Sequence, residues 1–305
     1  MSAELPIFQP ADYKSDLKPV WCAGCGDYGV LATIHRAMAK LQFEPWNTVV
    51  VSGIGCSSRL PGYVSTYGFN GLHGRALTLA TGIKLARPEL KVVAVGGDGD
   101  GIAIGGNHFL HSARRNLDVA YFLMDNEIYG LTKGQAAPTT ATGEKTKSTL
   151  WGNPEPSVDP CELAISSGAT WVGRGFSGDP KTLLELMTAA LEHHGFAFLN
   201  ILSPCVTWKG EGQFKELRGK LRKLPDGHDR SSRTAALSFT REKDTLTAGV
   251  LYETAEPSLL DRVGEVRRRA LKEEGPIAST RELLESFVPS FDAGTGGTLE
   301  ASVQA

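Results

Sequence analysis

Lys91-Val-Val-Ala-Val-Gly-Gly-Asp-Gly-Asp-Gly101 and Met124-Asp-Asn-Glu-Ile-Tyr-Gly130 decide how this chain is read. Each follows or contains an apolar run of strand length and breaks into glycine with aspartate or asparagine, the composition of a strand running into a ligand loop. Comparable runs at 48–52, 91–95, 118–124, 169–172 and 196–202 read as buried strands, and helix-length segments at 28–41, 74–86, 101–115, 161–167 and 180–193 lie between them. Alternation of this kind predicts right-handed crossovers and a mostly parallel α/β sheet with helices on both faces. In such a sheet the carboxyl ends of the strands share one edge, and ligands bind there. Glycine lets backbone approach phosphate oxygens, while the Asp98 carboxylate and the Asn126 carbonyl are hard oxygen donors suited to octahedral magnesium. The two loops therefore predict a diphosphate bridged by magnesium.

Cysteines form a second constellation in Trp21-Cys22-Ala-Gly-Cys25-Gly26, Gly53-Ile-Gly55-Cys56-Ser57 and Ser203-Pro-Cys205. A C-x-x-C alone suits a redox pair or half a zinc site. Cys56 and Cys205, however, each follow an expected strand at the same sheet edge, and there is no second C-x-x-C. Four thiolates converging there suit a cubane iron-sulfur cluster. Cys161, at a helical position, reads as a small buried apolar group.

The 305 residues carry 32 basic and 34 acidic side chains for a net charge of -2, with 41% apolar residues. No overall field draws the chain to nucleic acid or an anionic membrane, and no apolar run reaches the roughly 18 residues of a span. The opening Met-Ser-Ala-Glu-Leu-Pro lacks the regions of a secretory signal, so a cytoplasmic protein with reduced or metal-bound thiols is expected. One α/β domain is expected over 1–210. After it comes a helical or irregular extension over 211–305, with one charged helix at 210–224, helices at 253–272 and 279–287, and a mobile tail from 292.

The run Gly97-Asp98-Gly99, 26 residues and Asn126 resembles the thiamine-diphosphate signature. With the cysteine loops, Leu72-His73-Gly74-Arg75-Ala76, Gly105-Gly-Asn-His108 and Asn126-Glu-Ile-Tyr-Gly-Leu-Thr-Lys-Gly-Gln135, the chain is similar from Trp21 to Cys205 to the beta subunit of 2-oxoacid:ferredoxin oxidoreductases. The resemblance implies a thiamine-diphosphate-binding fold. It implies Asp98, Asn126 and the Ile128 carbonyl on Mg2+, with Gly55, Cys56, His73, Gly97, Gly99 and the Gly130-Leu131-Thr132 turn around the cofactor. It implies one 4Fe-4S cluster on Cys22, Cys25, Cys56 and Cys205. The activity implied is oxidative decarboxylation of a 2-oxoacid to its acyl-coenzyme A thioester, with electrons passing to ferredoxin, an EC 1.2.7 reaction.

No glutamate motif for activating the aminopyrimidine and no ferredoxin-like cysteine run is present. In the two-subunit members the glutamate comes from the alpha subunit, which implies an alpha2beta2 heterotetramer in which alpha also supplies the coenzyme A site. Arg59 is expected to capture the distal carboxylate of 2-oxoglutarate, favoured over pyruvate, with Leu131 shaping the same pocket. Two other readings stand beside this one: a non-redox thiamine-diphosphate decarboxylase or ligase, and a noncatalytic electron-transfer or cluster-scaffold subunit. A dinucleotide fingerprint at Gly173-Gly175-Gly178 is disfavoured, because the strand after it ends in Ser203-Pro204 without a ribose-binding acid.

Overall fold

The structure, a computed structural model, describes residues 7–242 and 245–274. An eight-stranded sheet is built from β1 (Thr48–Ser52), β2 (Tyr67–Asn70), β3 (Lys91–Gly97), β4 (Val119–Asp125), β7 (Trp171–Phe176), β8 (Phe196–Leu202), β9 (Leu221–Lys223) and β10 (Leu246–Glu253). Its order is β2-β1-β3-β4-β8-β7-β10-β9, and the small hairpin β5 (Ile128–Tyr129) and β6 (Gln135–Ala136) stands apart. Strands β2, β1, β3, β4, β8 and β7 are mutually parallel. Strand β10 runs antiparallel to β7 and carries β9 parallel at the edge.

The central strands read as continuous apolar runs because both faces are covered, and β4 and β8 are buried along their whole length. Successive residues still alternate between faces. Val93, Val95 and Phe122 pack with α1 (Asp27–Lys40) and α5 (Pro180–Glu192) through Ile34, Met38, Leu183 and Met187. Val92, Ala94 and Tyr121 face α2 (Ala76–Ala86), α3 (Gly106–Arg115), α4 (Pro160–Ser166) and α7 (Arg233–Thr240). Each fully buried Val, Leu or Phe contributes about 1.5–3 kcal/mol. Proline at the first helical position and an aspartate cap fix two helix starts: Asp159 accepts from Cys161 and Glu162 amides at 2.8 and 2.9 Å, and Asp179 accepts from Thr182 at 3.2 Å.

The sheet departs from the expected pattern after residue 203. The stretch 210–224 is not one helix: α6 covers Gln213–Lys220, and Leu221 then pairs with Leu246 as the start of β9. Residues 246–253, expected to lack strand character, are β10 in the main sheet. Gly249 at φ 135° and a register shift between Val250 and Tyr252 break the period-two pattern that would have marked that strand. Strand β2 has all four side chains exposed and so offers no apolar run, and α7 is an unexpected helix capped by Ser232. The compact unit continues through Leu260. Helix α8 (Leu259–Glu274) starts later than the expected 253, which lies in β10. The helix expected at 279–287 and the tail from 292 lie outside the described residues.

The glycines of the dinucleotide-like fingerprint serve packing. Gly173 and Gly175 lie inside β7, where a Cβ would come within 2.6 Å of the Trp171 ring and 3.0 Å of Leu183. They permit close helix-on-strand contact and form no phosphate loop. Because β10 is part of the core, with Leu251 fully buried, Leu251→Ala is expected to lower unfolding free energy by about 2–5 kcal/mol in a urea titration; a change within the error of the wild-type curve would show that β10 is dispensable to the fold.

Candidate functional site

Four strands that are consecutive neighbours in the sheet, β1, β3, β4 and β8, end at one edge. Ser52 is level with Val95, Gly97 with Met124 and Asp125 with Leu202. The loops that leave β1, β3 and β4, with the turn before α2, line a cavity of about 190 Å³. All eleven residues expected around the cofactor line it: Gly55 and Cys56 beyond β1, His73 before α2, Gly97, Asp98 and Gly99 beyond β3, and Asn126, Ile128, Gly130, Leu131 and Thr132 beyond β4.

Asp98 is 2% exposed and accepts from the Thr139 hydroxyl at 2.5 Å. Burial, followed by the charge of Glu127, pushes its carboxyl up to about 6, although hydrogen bonds oppose the shift. Burial and the charges of Asp98 and Glu127 hold Asp125 well above the ordinary carboxylate range. Acids crowded in this way at strand ends form a donor set that a divalent cation would relieve. Asn126 lies beside them, its Oδ1 accepting the Ile128 amide at 3.1 Å. Among the described residues, no three His, Cys, Asp or Glu side chains are grouped as a ready metal site; two of the three expected magnesium donors are a neutral amide and a backbone carbonyl.

Asp100 was not among the expected site residues, yet it is the hub of this edge. Its Oδ1 accepts from the Ile54 amide at 3.0 Å, the Gly74 amide at 2.7 Å and His73 Nδ1 at 2.7 Å. One carboxylate thus joins the loops beyond β1 and β3 to the turn before α2, and it is hydrogen-bonded to the Nδ1 edge of the histidine that lines the cavity. The helix expected from 101 opens instead as a π-turn over Gly99–Ile104, which carries Asp100 back beneath the loops. A Cβ on Gly53 would sit 2.1 Å from Asp100 Oδ2, so only glycine fits opposite it. The repeated Asp-Gly of Gly97-Asp-Gly-Asp-Gly101 was the signal available.

The loops that carry the four cysteines of the second constellation lie at the same edge, although among the described residues their thiols are not drawn into a group of three that could hold a metal ion. A Cβ on Gly130 would lie 3.6 Å from Cys205 Sγ and 3.7 Å from Cys56 Sγ, so both thiols rest on this one glycine. The Cys25 amide donates to the Cys22 carbonyl at 3.0 Å, closing a turn that the Gly26 amide seats on the Pro204 carbonyl at 3.0 Å. Trp21 Nε1 donates to the Cys56 carbonyl at 2.7 Å. Burial, the Asp27 charge and the thiols of Cys205 and Cys22 push Cys56 up to about 11. Cys25 is raised further by burial, Asp27, Cys205 and Cys56, and Cys205 is raised by burial with Cys22 and Asp27. Thiols that oppose one another's ionisation suit a soft, multiply charged centre.

Cys161 lies elsewhere, fully buried in α4, where Sγ contacts the Gly173 carbonyl at 3.7 Å. Arg59 is exposed in the 3-10 turn Ser57–Tyr63 and does not line the cavity, although its charge acts on the Cys56 thiol. Leu131 lines the cavity and remains 43% exposed.

Residues 53–201 match the family model described as thiamine pyrophosphate enzyme, C-terminal TPP binding domain. Residues 205–268 match the model for the C terminal part of the pyruvate ferredoxin oxidoreductase beta chain. The chain is 43% identical over 254 residues to subunit beta of 2-oxoacid:ferredoxin oxidoreductase 1 of Aeropyrum pernix, an alignment covering 79% of this chain and 80% of the relative. The chain is a 2-oxoacid:ferredoxin oxidoreductase beta subunit. It is also 47% identical over 207 residues to the Mycobacterium tuberculosis 2-oxoglutarate oxidoreductase subunit KorB, covering 68% of this chain and 55% of that one. Its backbone matches a 2-oxoglutarate:ferredoxin oxidoreductase of Magnetococcus marinus, solved with 2-oxoglutarate, coenzyme A and succinyl-CoA bound, with a TM-score of 0.88 and 40% identity. That match covers 94% of this chain and 98% of the other. The cavity of this beta subunit therefore lies within the matched thiamine-pyrophosphate-binding domain.

The buried acid gives a pH test. Between the ordinary value of 3.8 and the folded value of about 6, native Asp98 holds a proton that the unfolded chain has released. Native stability therefore falls as pH rises through this window, and the loss is complete above it. Asp98→Asn should stabilise the cofactor-free protein by on the order of 1–3 kcal/mol near neutral pH, with the difference vanishing near pH 4. Urea unfolding at both pH values checks this; a destabilised variant at neutral pH would mean that the carboxylate is not strained in the fold.

Proposed function

We propose that this beta subunit binds magnesium thiamine diphosphate and one 4Fe-4S cluster, and that within an alpha2beta2 enzyme it oxidatively decarboxylates 2-oxoglutarate to succinyl-CoA, with ferredoxin as electron acceptor. The carrying observation is the convergence of Asp98, Asn126 and the thiols of Cys56 and Cys205 on the loops beyond four adjacent strands. Asp98, Asn126 and the Ile128 carbonyl would hold the metal, and Cys22, Cys25, Cys56 and Cys205 the cluster. When bound, thiamine diphosphate supplies an electron sink for decarboxylation and the cluster a one-electron acceptor.

This chain's own residues would bind and orient. Asp100 holds the Nδ1 edge of His73, which leaves its other ring nitrogen for the diphosphate. Burial of Asp98 and Asp125 keeps water from competing for the metal. Arg59 would take the distal carboxylate of the oxoacid, and Leu131 would bound its pocket. The choice of 2-oxoglutarate is supported by the Mycobacterium tuberculosis and Magnetococcus marinus relatives.

Among the described residues no glutamate lines the cavity. The alpha subunit would therefore supply the group that activates the aminopyrimidine, together with the coenzyme A site. A cytoplasmic location is in keeping with the described helices, none of which is long and apolar enough to cross a membrane.

Metal and cofactor analysis of the anaerobically co-purified complex tests the assignment. Iron should approach about four per beta subunit, with thiamine diphosphate present. Changing Cys22, Cys25, Cys56 or Cys205 to Ser should each bleach the visible absorption, and Cys161→Ser should leave it; equal bleaching at Cys161 would overturn the ligand set. The substrate assignment has its own measurement. Arg59→Ala should lower kcat/KM for 2-oxoglutarate by about 100-fold or more and for pyruvate much less, because only the former loses a charged partner. Equal losses would remove Arg59 from distal-carboxylate recognition, and a native complex preferring pyruvate would refute the substrate.

A further inference from the structure

Lys209 lies four residues past Cys205, and its side chain is only 8% exposed. Its amide donates to the Cys205 carbonyl at 2.9 Å, so it belongs to the same turn as that thiol. Its ammonium reaches in the other direction, to Glu127 at 3.1 Å and to both carboxylate oxygens of Glu144 at 2.5 Å. Glu127 stands between Asn126 and Ile128 with φ at 58°, a left-handed backbone conformation uncommon for glutamate. The Thr140 hydroxyl holds the Glu127 carbonyl at 2.6 Å, and the neighbouring Trp208 donates its indole N–H to the Gly130 carbonyl at 2.9 Å. The loop after β4 is therefore pinned at Glu127 and at Gly130 by two consecutive residues of the cysteine turn.

We infer that Lys209 is a positioning residue for the proposed magnesium-diphosphate site. Held between Glu127 and Glu144, it fixes the backbone that presents Asn126 and the Ile128 carbonyl. Lys209 does not line the cavity, and its ammonium contacts Glu127 and Glu144 and none of the expected magnesium donors, so it acts on that site through Glu127. Without it, two carboxylates that now share one cation would face each other in a half-buried site, and Glu127 would be free to relax out of its strained conformation. Outer partners that orient metal ligands typically account for 10- to 100-fold in metal affinity.

The inference rests on the proposed cofactor site, and the experiment separates the two. Magnesium thiamine diphosphate is titrated calorimetrically into the cofactor-stripped, co-purified complex carrying native chain, Lys209→Met, Glu127→Gln or both changes. Iron content and the electron paramagnetic resonance spectrum of the reduced cluster are recorded alongside. Each single variant should bind roughly 10- to 100-fold more weakly. The double variant should be no weaker than Lys209→Met alone, because both changes break the same contact. The cluster signature should be unchanged.

Affinities within about twofold of native in both single variants, additive losses in the double variant, or loss of the cluster in step with affinity would each overturn the positioning role. Should Lys209→Met not assemble, Glu127→Gln decides alone, since it must weaken binding with the cluster intact. A native complex that takes up no thiamine diphosphate would overturn the proposed function instead.

Discussion

Parallel pairing of β3 with β4 is the constraint on which the rest of this edge depends. The register that sets Gly97 beside Met124 brings Asp98 and Asn126 out of neighbouring strands at nearly the same level. Neither residue could be placed by its own loop alone, because a one-residue slip would turn every side chain of β4 to the opposite face. The slip is opposed by burial: Phe122 and Met124 belong to one apolar layer, Tyr121 and Leu123 to the other. The chemistry of the edge is thus positioned by the apolar layers that fix the register of β4.

Close approach of backbone is the second requirement, and glycine meets it where a side chain or another loop has been brought into the gap. A Cβ on Gly99 would lie 2.2 Å from the Tyr129 ring, whose hydroxyl donates to the Gly99 carbonyl at 3.0 Å, and one on Gly101 would lie 2.0 Å from the Tyr121 hydroxyl. The same economy of space buries carboxyls. Asp27, beneath the Cys25 turn, accepts from the Ser203 hydroxyl at 2.6 Å and is pushed up to about 6 by burial, in parallel with Asp98. Strain of this kind is tolerated because large apolar layers on both faces of the sheet outweigh it.

Much of this was legible in the sequence because both signals are local. Apolar runs without alternation announce strands covered on both faces, so β1, β3, β4, β7 and β8 could be read from composition, and the glycine-flanked Asp98, Asn126 and cysteines mark where those strands end. What escaped reading was non-local or aperiodic. Strand β10 carries a bulge at Val250–Tyr252, and β2 shows no buried side chain at all. Asp100 was not singled out because the π-turn that brings it to the Ile54 and Gly74 amides leaves no mark on the spacing of residues. Lys209 escaped because its partners, Glu127 and Glu144, are separated from it by 82 and 65 residues of intervening fold.

The metal-type loop and the cysteine loops are physically one assembly. Gly130 lies beside the thiols of Cys56 and Cys205, its carbonyl is held by Trp208, and the residues just before it include Asn126 and Ile128. A chain that bound a diphosphate and a cluster at independent sites would need no such contact. Here the proposed diphosphate and cluster sites share a single turn whose ends are held by a largely buried ion pair and an indole hydrogen bond, so a displacement of either loop is transmitted to the other through groups with little freedom to absorb it. Such rigidity suits a reaction in which electrons leave one group for another one at a time. In the proposed enzyme the distance between donor and acceptor would then be a property of the folded loop and not of a mobile partner.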